Sequence, residues 1–188
     1  MAITGDVLTE SLRGADQARC GLSAFTYELR EASTEDLDAC VVMLRSAGSC
    51  QSIFGTDLRS GELEQWLAER LACGAPHGPC LVAHLPGESE AVAMCALWDG
   101  GLCFVVDPSH RRLGLASRIV RRLCDRIRAK GAQRIEATVF QDNYWSQAVL
   151  RKVGFEFEGT SPVRIRGKSV PVPLMRFFLP FTAGCYTC

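Results

Sequence analysis

The chain has 188 residues, 47% of them apolar and 22% charged, and 21 basic side chains balance 21 acidic ones to a formal net charge of zero. That length suits one domain with an ordinary core, and the neutral balance argues against a nucleic-acid binder that works through a basic surface. No stretch approaches the roughly 18 apolar residues of a membrane span, and the opening MAITGDVLTESLRG lacks the basic start and apolar run of a signal peptide, so a soluble, cytoplasmic protein that engages neither membrane nor nucleic acid is expected.

Residues 1–24 are small, polar and aperiodic, and are expected to form a loosely ordered extension. A single domain over 25–181 and a short tail over 182–188 would follow. FTYELRE alternates and predicts a first strand over 25–31. Ser33, with Asp36 three positions on, comes close to a capping box. Leu37, Cys40, Val41 and Leu44 then recur at helical spacing, in a helix that ends near Gly48. GELEQWLAERLACG predicts a second helix with Leu63, Trp66, Leu67 and Leu71 on one face. CLVAHL and EAVAMCAL, joined by PGESE, read as a hairpin. GLCFVVDP is the next strand, ended by Pro108, which removes a ladder donor.

A long helix follows, beginning around Leu113–Gly114, with Leu113, Ala116, Val120, Leu123 and Ile127 inward, an Arg-rich outer face and Gly131 as its stop. RIEATVF is a strand. NYWSQAVLRKV is a short helix stopped by Gly154, with Trp145, Val149 and Val153 as its packing face. FEFEG and SVPVPLMRFFL form a last strand pair. The order β-α-α-β-β-β-α-β-α-β-β predicts an α/β fold (α+β mixed sheet) with helices on both faces.

Ten cysteines are many for this length. Cys40, Cys95, Cys103 and Cys124 sit inside apolar runs, as buried free thiols do in a reducing compartment. Cys73, His77 and Cys80, together with the Cys185-x-x-Cys188 pair, were weighed as zinc ligands. They lack two clean paired knuckles, so a Gly/Pro-rich loop and a tail are the simpler reading and no metal is expected. A zinc-stabilised interaction domain is the weakest of three functional readings.

The informative junction is FVVDPSHRRLGLASRIV. A helix start leaves about four backbone N–H groups without partners at the positive end of the dipole. With Gly114, Ala116 and Ser117 there, backbone can approach an anion closely, and Arg111 and Arg112 add charge. An ordinary strand-to-helix turn with solvated arginines explains the same residues. Neither the dinucleotide fingerprint nor a P-loop has this spacing.

Val106, Pro108, Arg111, Gly114 and Ala116 together resemble the acyl-CoA pyrophosphate motif of the Gcn5-related N-acetyltransferases. Downstream, Asn143, Ser146, Lys152, Gly154, Phe155, Glu158 and Gly159 are similar to a pattern of that family's ribosomal-protein-alanine N-acetyltransferases. Element order agrees over 25–180. The resemblance implies the acyl-CoA N-acyltransferase fold, with acetyl-CoA as co-substrate. The backbone of Phe104, Val105 and Val106 would pair with the pantetheine arm. The segment Arg111, Arg112, Leu113, Gly114, Leu115, Ala116 and Ser117 would wrap the pyrophosphate. Asn143 would steer the pantetheine or the thioester.

The implied chemistry is direct attack of an amine on the acetyl thioester in a ternary complex. Many family members protonate the departing thiolate with a tyrosine, and Leu150 stands at that position. Tyr144 lies on another face; what the resemblance implies at this place is Ser146 as the acid, directly or through water, and a serine that satisfies a local backbone group is the competing reading. Asp99, Asp107, Glu136, Glu158 or a water chain would take the amine's proton. The partner is an amine acceptor, a peptide N-terminus or a small molecule, flanked by the 48–61 loop and by the hairpin carrying Arg164, Arg166 and Lys168. A monomer or homodimer is expected. The rival from another class is a non-catalytic acyl-CoA-binding module of the same fold.

Overall fold

A computed structural model of the chain describes residues 26–46, 59, 61–73, 78–98, 101–164 and 171–181. The expected extension over 1–24, the tail over 182–188 and the residues Cys73 (side chain), His77, Asp99, Arg166 and Lys168 lie outside what it describes, as does nearly all of the 48–61 loop.

The element order is the expected one: β1 (Glu28–Glu31), α1 (Leu37–Ser46), α2 (Glu62–Cys73), β2 (Cys80–His84), β3 (Ala91–Trp98), β4 (Gly101–Val106), α3 (Leu115–Ala129), β5 (Arg134–Phe140), α4 (Tyr144–Val153), β6 (Glu156–Val163) and β7 (Val172–Pro180). The strands form one mixed sheet in the order β1-β2-β3-β4-β5-β7-β6. Neighbours pair antiparallel except β4 and β5, which run parallel. Apart from His84 at the end of β2, β2 and β3 are apolar, and nearly all of their residues are buried. β5 alternates, with Ile135, Ala137 and Val139 inward and Arg134, Glu136 and Thr138 exposed.

Two cores result, one on each face of the sheet. Leu115, Ile119, Leu123 and Ile127 of α3 and Leu150 of α4 pack with Leu81, Val92, Ile135 and Phe177 on one side. Cys40 and Leu44 of α1 and Leu63, Leu67 and Leu71 of α2 pack with Val82, Met94 and Val105 on the other. Two expected packing faces need correction. Helix α3 starts at Leu115, because Gly114 takes a left-handed φ of 80° and sits outside it. Leu113 therefore lies in the turn and Ala116 is only partly covered, while Leu115, Ile119 and Cys124 complete the buried stripe. On α4, Trp145 is 80% exposed, and the inward positions are Gln147 and Leu150, with Val149 and Val153 at the margin.

Asp36 joins the first elements together. It completes the capping box with Ser33, whose backbone N donates to Oδ2 at 2.8 Å. It takes two hydrogen bonds from the Arg30 guanidinium of β1, at 2.7 and 2.6 Å. His84, at the end of β2, lies 3.5 Å away and uses its other ring nitrogen on the Glu90 carbonyl. Burial works against ionisation of Asp36, yet the Arg30 and Ser33 hydrogen bonds outweigh it and hold the carboxyl below the usual range. The described cysteines are free thiols, and burial pushes those of Cys40, Cys103 and Cys124 up to about 12 and those of Cys80 and Cys95 higher still.

Asp36→Asn is expected to cost about 2–3 kcal/mol at pH 7, since hydrogen bonds to a charged group are lost beside a buried site. A lowered carboxylate pKa stabilises above the unfolded value of about 3.9, and that stability fades as pH falls through the folded value. The gap between wild type and variant in denaturant unfolding should therefore be full at pH 7 and shrink below about pH 4.

Candidate active site

Between β4 and β5 the ladder holds at Gly101↔Glu136 and goes no further among the described residues. β4 meanwhile stays paired with β3 through Val106, and β5 stays paired with β7 as far as Phe140. The two parallel strands thus part toward their C-terminal ends, and backbone groups along the gap lack strand partners. Phe104, Val105 and Val106 lie on that stretch of β4, with side chains turned alternately into the two cores.

The parted ends lead to two helix starts. After β4, Asp107 accepts from the Ser109 backbone N at 2.9 Å and caps a single 3-10 turn begun by Pro108. The Ser109 hydroxyl, first among several donors, holds the Asp107 carboxyl below its ordinary range. The Arg111 side chain folds back, its Nε donating to the Val106 carbonyl at 3.1 Å. Arg112 is the one described non-glycine residue with a left-handed φ, 64°, and Gly114 follows at 80°. Such strain in a bulky residue concentrates at functional sites, and left-handed turns point successive N–H groups to one side, as anion-binding nests do.

A Cβ on Gly114 would meet nothing within 4 Å, so the space in front of this backbone is open. Ser117, in the first turn of α3, is 6% exposed and makes no hydrogen bond to a described residue. Leu115 turns its side chain wholly into the core and offers only its backbone. An open approach, a nest and a helix N-terminus, with the Ser117 hydroxyl beside them, are features that can hold an anion.

After β5, Asn143 caps α4: its Oδ1 accepts from the Ser146 backbone N at 3.1 Å. Because the asparagine does the capping, the Ser146 hydroxyl carries no hydrogen bond to a described residue. Gln147, which the sequence analysis did not single out, is 4% exposed and donates to the Gln141 and Phe140 carbonyls at 3.0 and 3.4 Å, fixing the turn between strand and helix. A glutamine four residues past a capping asparagine was the available signal. Leu150 is fully buried. The helix ends in a Schellman stop, with Gly154 at φ 109° and the Phe155 N–H on the Leu150 carbonyl at 3.0 Å.

The structure brings the Arg111–Ser117 segment, β4, Asn143 and Ser146 to one end of the sheet. It does not bring the acidic candidates to one place. Glu136 is exposed at the apex of the gap and paired with Arg134 at 2.9 Å. Glu158 is out on β6, 3.4 Å from Arg134 and 3.8 Å from Arg176. Arg164 is exposed at the end of the β6 ribbon. Among the described residues no group of three His, Cys, Asp or Glu side chains is placed to hold a metal ion, and no helix is long and apolar enough to cross a membrane.

The profile of the acetyltransferase (GNAT) family matches residues 45–155, more than half of the chain. The chain belongs to that family, and is an acetyl-CoA-dependent acetyltransferase. No curated protein sequence matches it. Among solved structures, it is similar in fold to the ribosomal-protein-S5-alanine acetyltransferase of Vibrio fischeri (16% identity, 84% of this chain and 94% of that one, TM-score 0.69). The yncA protein of Salmonella typhimurium, solved with its cofactor acetyl-CoA, aligns over 86% of this chain and 99% of its own (19% identity, TM-score 0.67). A ribosomal-protein-alanine N-acetyltransferase from Brucella melitensis aligns over 81% and 99% (21% identity, TM-score 0.64).

Asn143→Ala removes the cap of α4 and is expected to lower stability by about 1 kcal/mol. In a chain of this size that corresponds to a fall in Tm of about 2–4 °C, readable by calorimetry.

Proposed function

We propose that the protein transfers acetyl from acetyl-CoA to a primary amine in the cytoplasm, by direct attack within a ternary complex, and that a peptide N-terminus is its acceptor. The observation that carries the reading is the parting of β4 and β5 beside the cradle that opens α3. An extended amide-bearing arm would run along the backbone of Phe104, Val105 and Val106 on β4, where the Val106 carbonyl is already engaged by Arg111 Nε. Its pyrophosphate meets the backbone N–H groups of Arg111–Ser117, with the Arg111 and Arg112 charges beside it.

The amine nitrogen attacks the acetyl carbon, and a backbone N–H of β4 stabilises the oxyanion. The C–S bond breaks, the Ser146 hydroxyl relays a proton to the thiolate and is reprotonated through water, and the amine's proton leaves to that water or to a carboxylate, so one proton is lost by the amine and one gained by the thiolate. Asn143, with Oδ1 committed to the Ser146 N–H, has its amide Nδ2 left to steer the thioester end. Asp107 makes a poor base, since its lowered carboxyl is already engaged by Ser109. The catalytic domain runs over 25–181.

The peptide acceptor is supported by the downstream motif and by fold likeness to alanine acetyltransferases of ribosomal proteins. One observation favours the rival, a non-catalytic acyl-CoA-binding module: the family's usual tyrosine position is taken by Leu150, sealed in the core. An acceptor screen following free thiol release from acetyl-CoA, with N-terminal peptides and small amines, separates the two. Release with peptides alone supports the acceptor proposed, and no release with any amine favours the binding module.

Acetyl-CoA at about 100-fold over Kd should stabilise the fold by about 2.7 kcal/mol in thermal unfolding. Gly114→Glu should erase that shift, because side chain and charge would fill the cradle; an unchanged shift would relocate the site. Ser146→Ala should reduce kcat by about 10²-fold, within the usual reach of acid catalysis, and leave acetyl-CoA affinity intact. Wild-type turnover in that variant would return Ser146 to a purely structural role.

A further inference from the structure

Trp145 is 80% exposed, although an indole normally hides most of its surface. Its position relative to the cradle follows from the topology. β4 and β5 run parallel, and β6 runs parallel to β5 because both pair antiparallel with β7. Helices α3 and α4 each return from the C-terminal end of one such strand to the start of the next, so they run parallel to each other. Arg121 of α3 ties the two together, its guanidinium donating to the Lys152 carbonyl of α4 at 2.7 Å.

Counting back equally along both helices from that bond reaches Gly114 on one and Trp145 on the other. Allowing for the reach of the arginine arm, the indole stands level with the cradle to within about two turns, across one interhelical distance of about 8–10 Å. Helical spacing puts Trp145 on a stripe with Val149 and Lys152, the flank that meets α3. Tyr144 falls on the opposite flank with Arg151, which lies over the Phe177 ring of β7.

The geometry points to Trp145 as the stacking platform for the adenine of acetyl-CoA. The inference rests on the acetyl-CoA reading of the cradle. A pyrophosphate held by the α3 N-terminus and the Ser117 neighbourhood puts the attached nucleoside within one interhelical distance, and the exposed indole on that flank of α4 offers a flat π-face to it. Stacking of a base on an aromatic side chain is sequence-tolerant and strong enough to change affinity by about tenfold or more. It also accounts for a large aromatic group left in water at the mouth of the site.

The test compares wild type, Trp145→Ala and Trp145→Phe with two donors, acetyl-CoA and acetyl-4′-phosphopantetheine, which lacks the nucleoside. Trp145→Ala should raise Kd for acetyl-CoA about tenfold, Trp145→Phe should recover most of the loss, and kcat at saturation should not change. With acetyl-4′-phosphopantetheine all three proteins should bind alike. Acetyl-CoA should also quench the exposed tryptophan emission of wild type, and Trp145→Phe should abolish that quench, since Trp98 is buried and Trp66 is half-buried against it on the other face of the sheet. Equal affinity of all three proteins for acetyl-CoA, or an equal loss with both donors, would overturn the stacking role. Failure of wild type itself to bind acetyl-CoA would instead overturn the reading on which it rests.

Discussion

Between β4 and β5 the ladder stops after one paired register, while each strand keeps its outer neighbour. A gap of this kind inside a sheet is costly, because a buried backbone group without a partner loses about 1–3 kcal/mol. The sheet tolerates it because both sides are braced: two helices cover each face, and β7 locks β5 along its whole length. The parting also sets where the following helices begin. α3 and α4 start at the two diverging strand ends, which is why an anion cradle and a capped asparagine–serine pair lie on either side of the same opening. On the proposed reading, chemistry at this site would follow from an interrupted ladder more than from any single side chain.

The motif that signalled the family divides into parts with different physical work. Arg111 to Ser117 is conformational: two left-handed residues and a helix start that leave backbone N–H groups facing open space. Asn143 is both a cap and a group at the mouth of the gap. Gly154 and Phe155 belong to the stop signal of α4, a left-handed turn closed by a buried ring, and have no call to touch a ligand. A resemblance carried by such a pattern therefore reports fold and site together.

Much of this was legible in the sequence. The order of all eleven elements followed from periodicity, turn residues and the Ser33–Asp36 cap, and the strand-to-helix junction ahead of α3 followed from Pro108 and Gly114. What escaped were faces near helix ends. Leu113 has the right spacing for the α3 stripe but precedes the left-handed Gly114, so the helix geometry never reaches it. Trp145 looks like core by hydropathy, yet in the first turn of α4 its ring is left largely in solvent, while the polar Gln147 goes inside because two strand-end carbonyls need a donor there. Periodicity cannot reveal that demand, since it arises from the turn before the helix. The acidic groups were named one by one, and their scatter across the site became visible only with the strand register.

The buried thiols have a bearing on the protein's durability as a handler of thioesters. An acyl thioester passes its acyl group to any reachable thiolate, so a protein that binds one continually risks acylating itself. Burial pushes the thiols of Cys40 and Cys124, and of the half-buried Cys103, up to about 12, and those of Cys80 and Cys95 further. The attacking species is the thiolate, so at neutral pH these five side chains hold almost none of it. A cysteine-rich interior is thus chemically silent toward the very co-substrate the protein consumes, and serves as packing without becoming a competing acceptor.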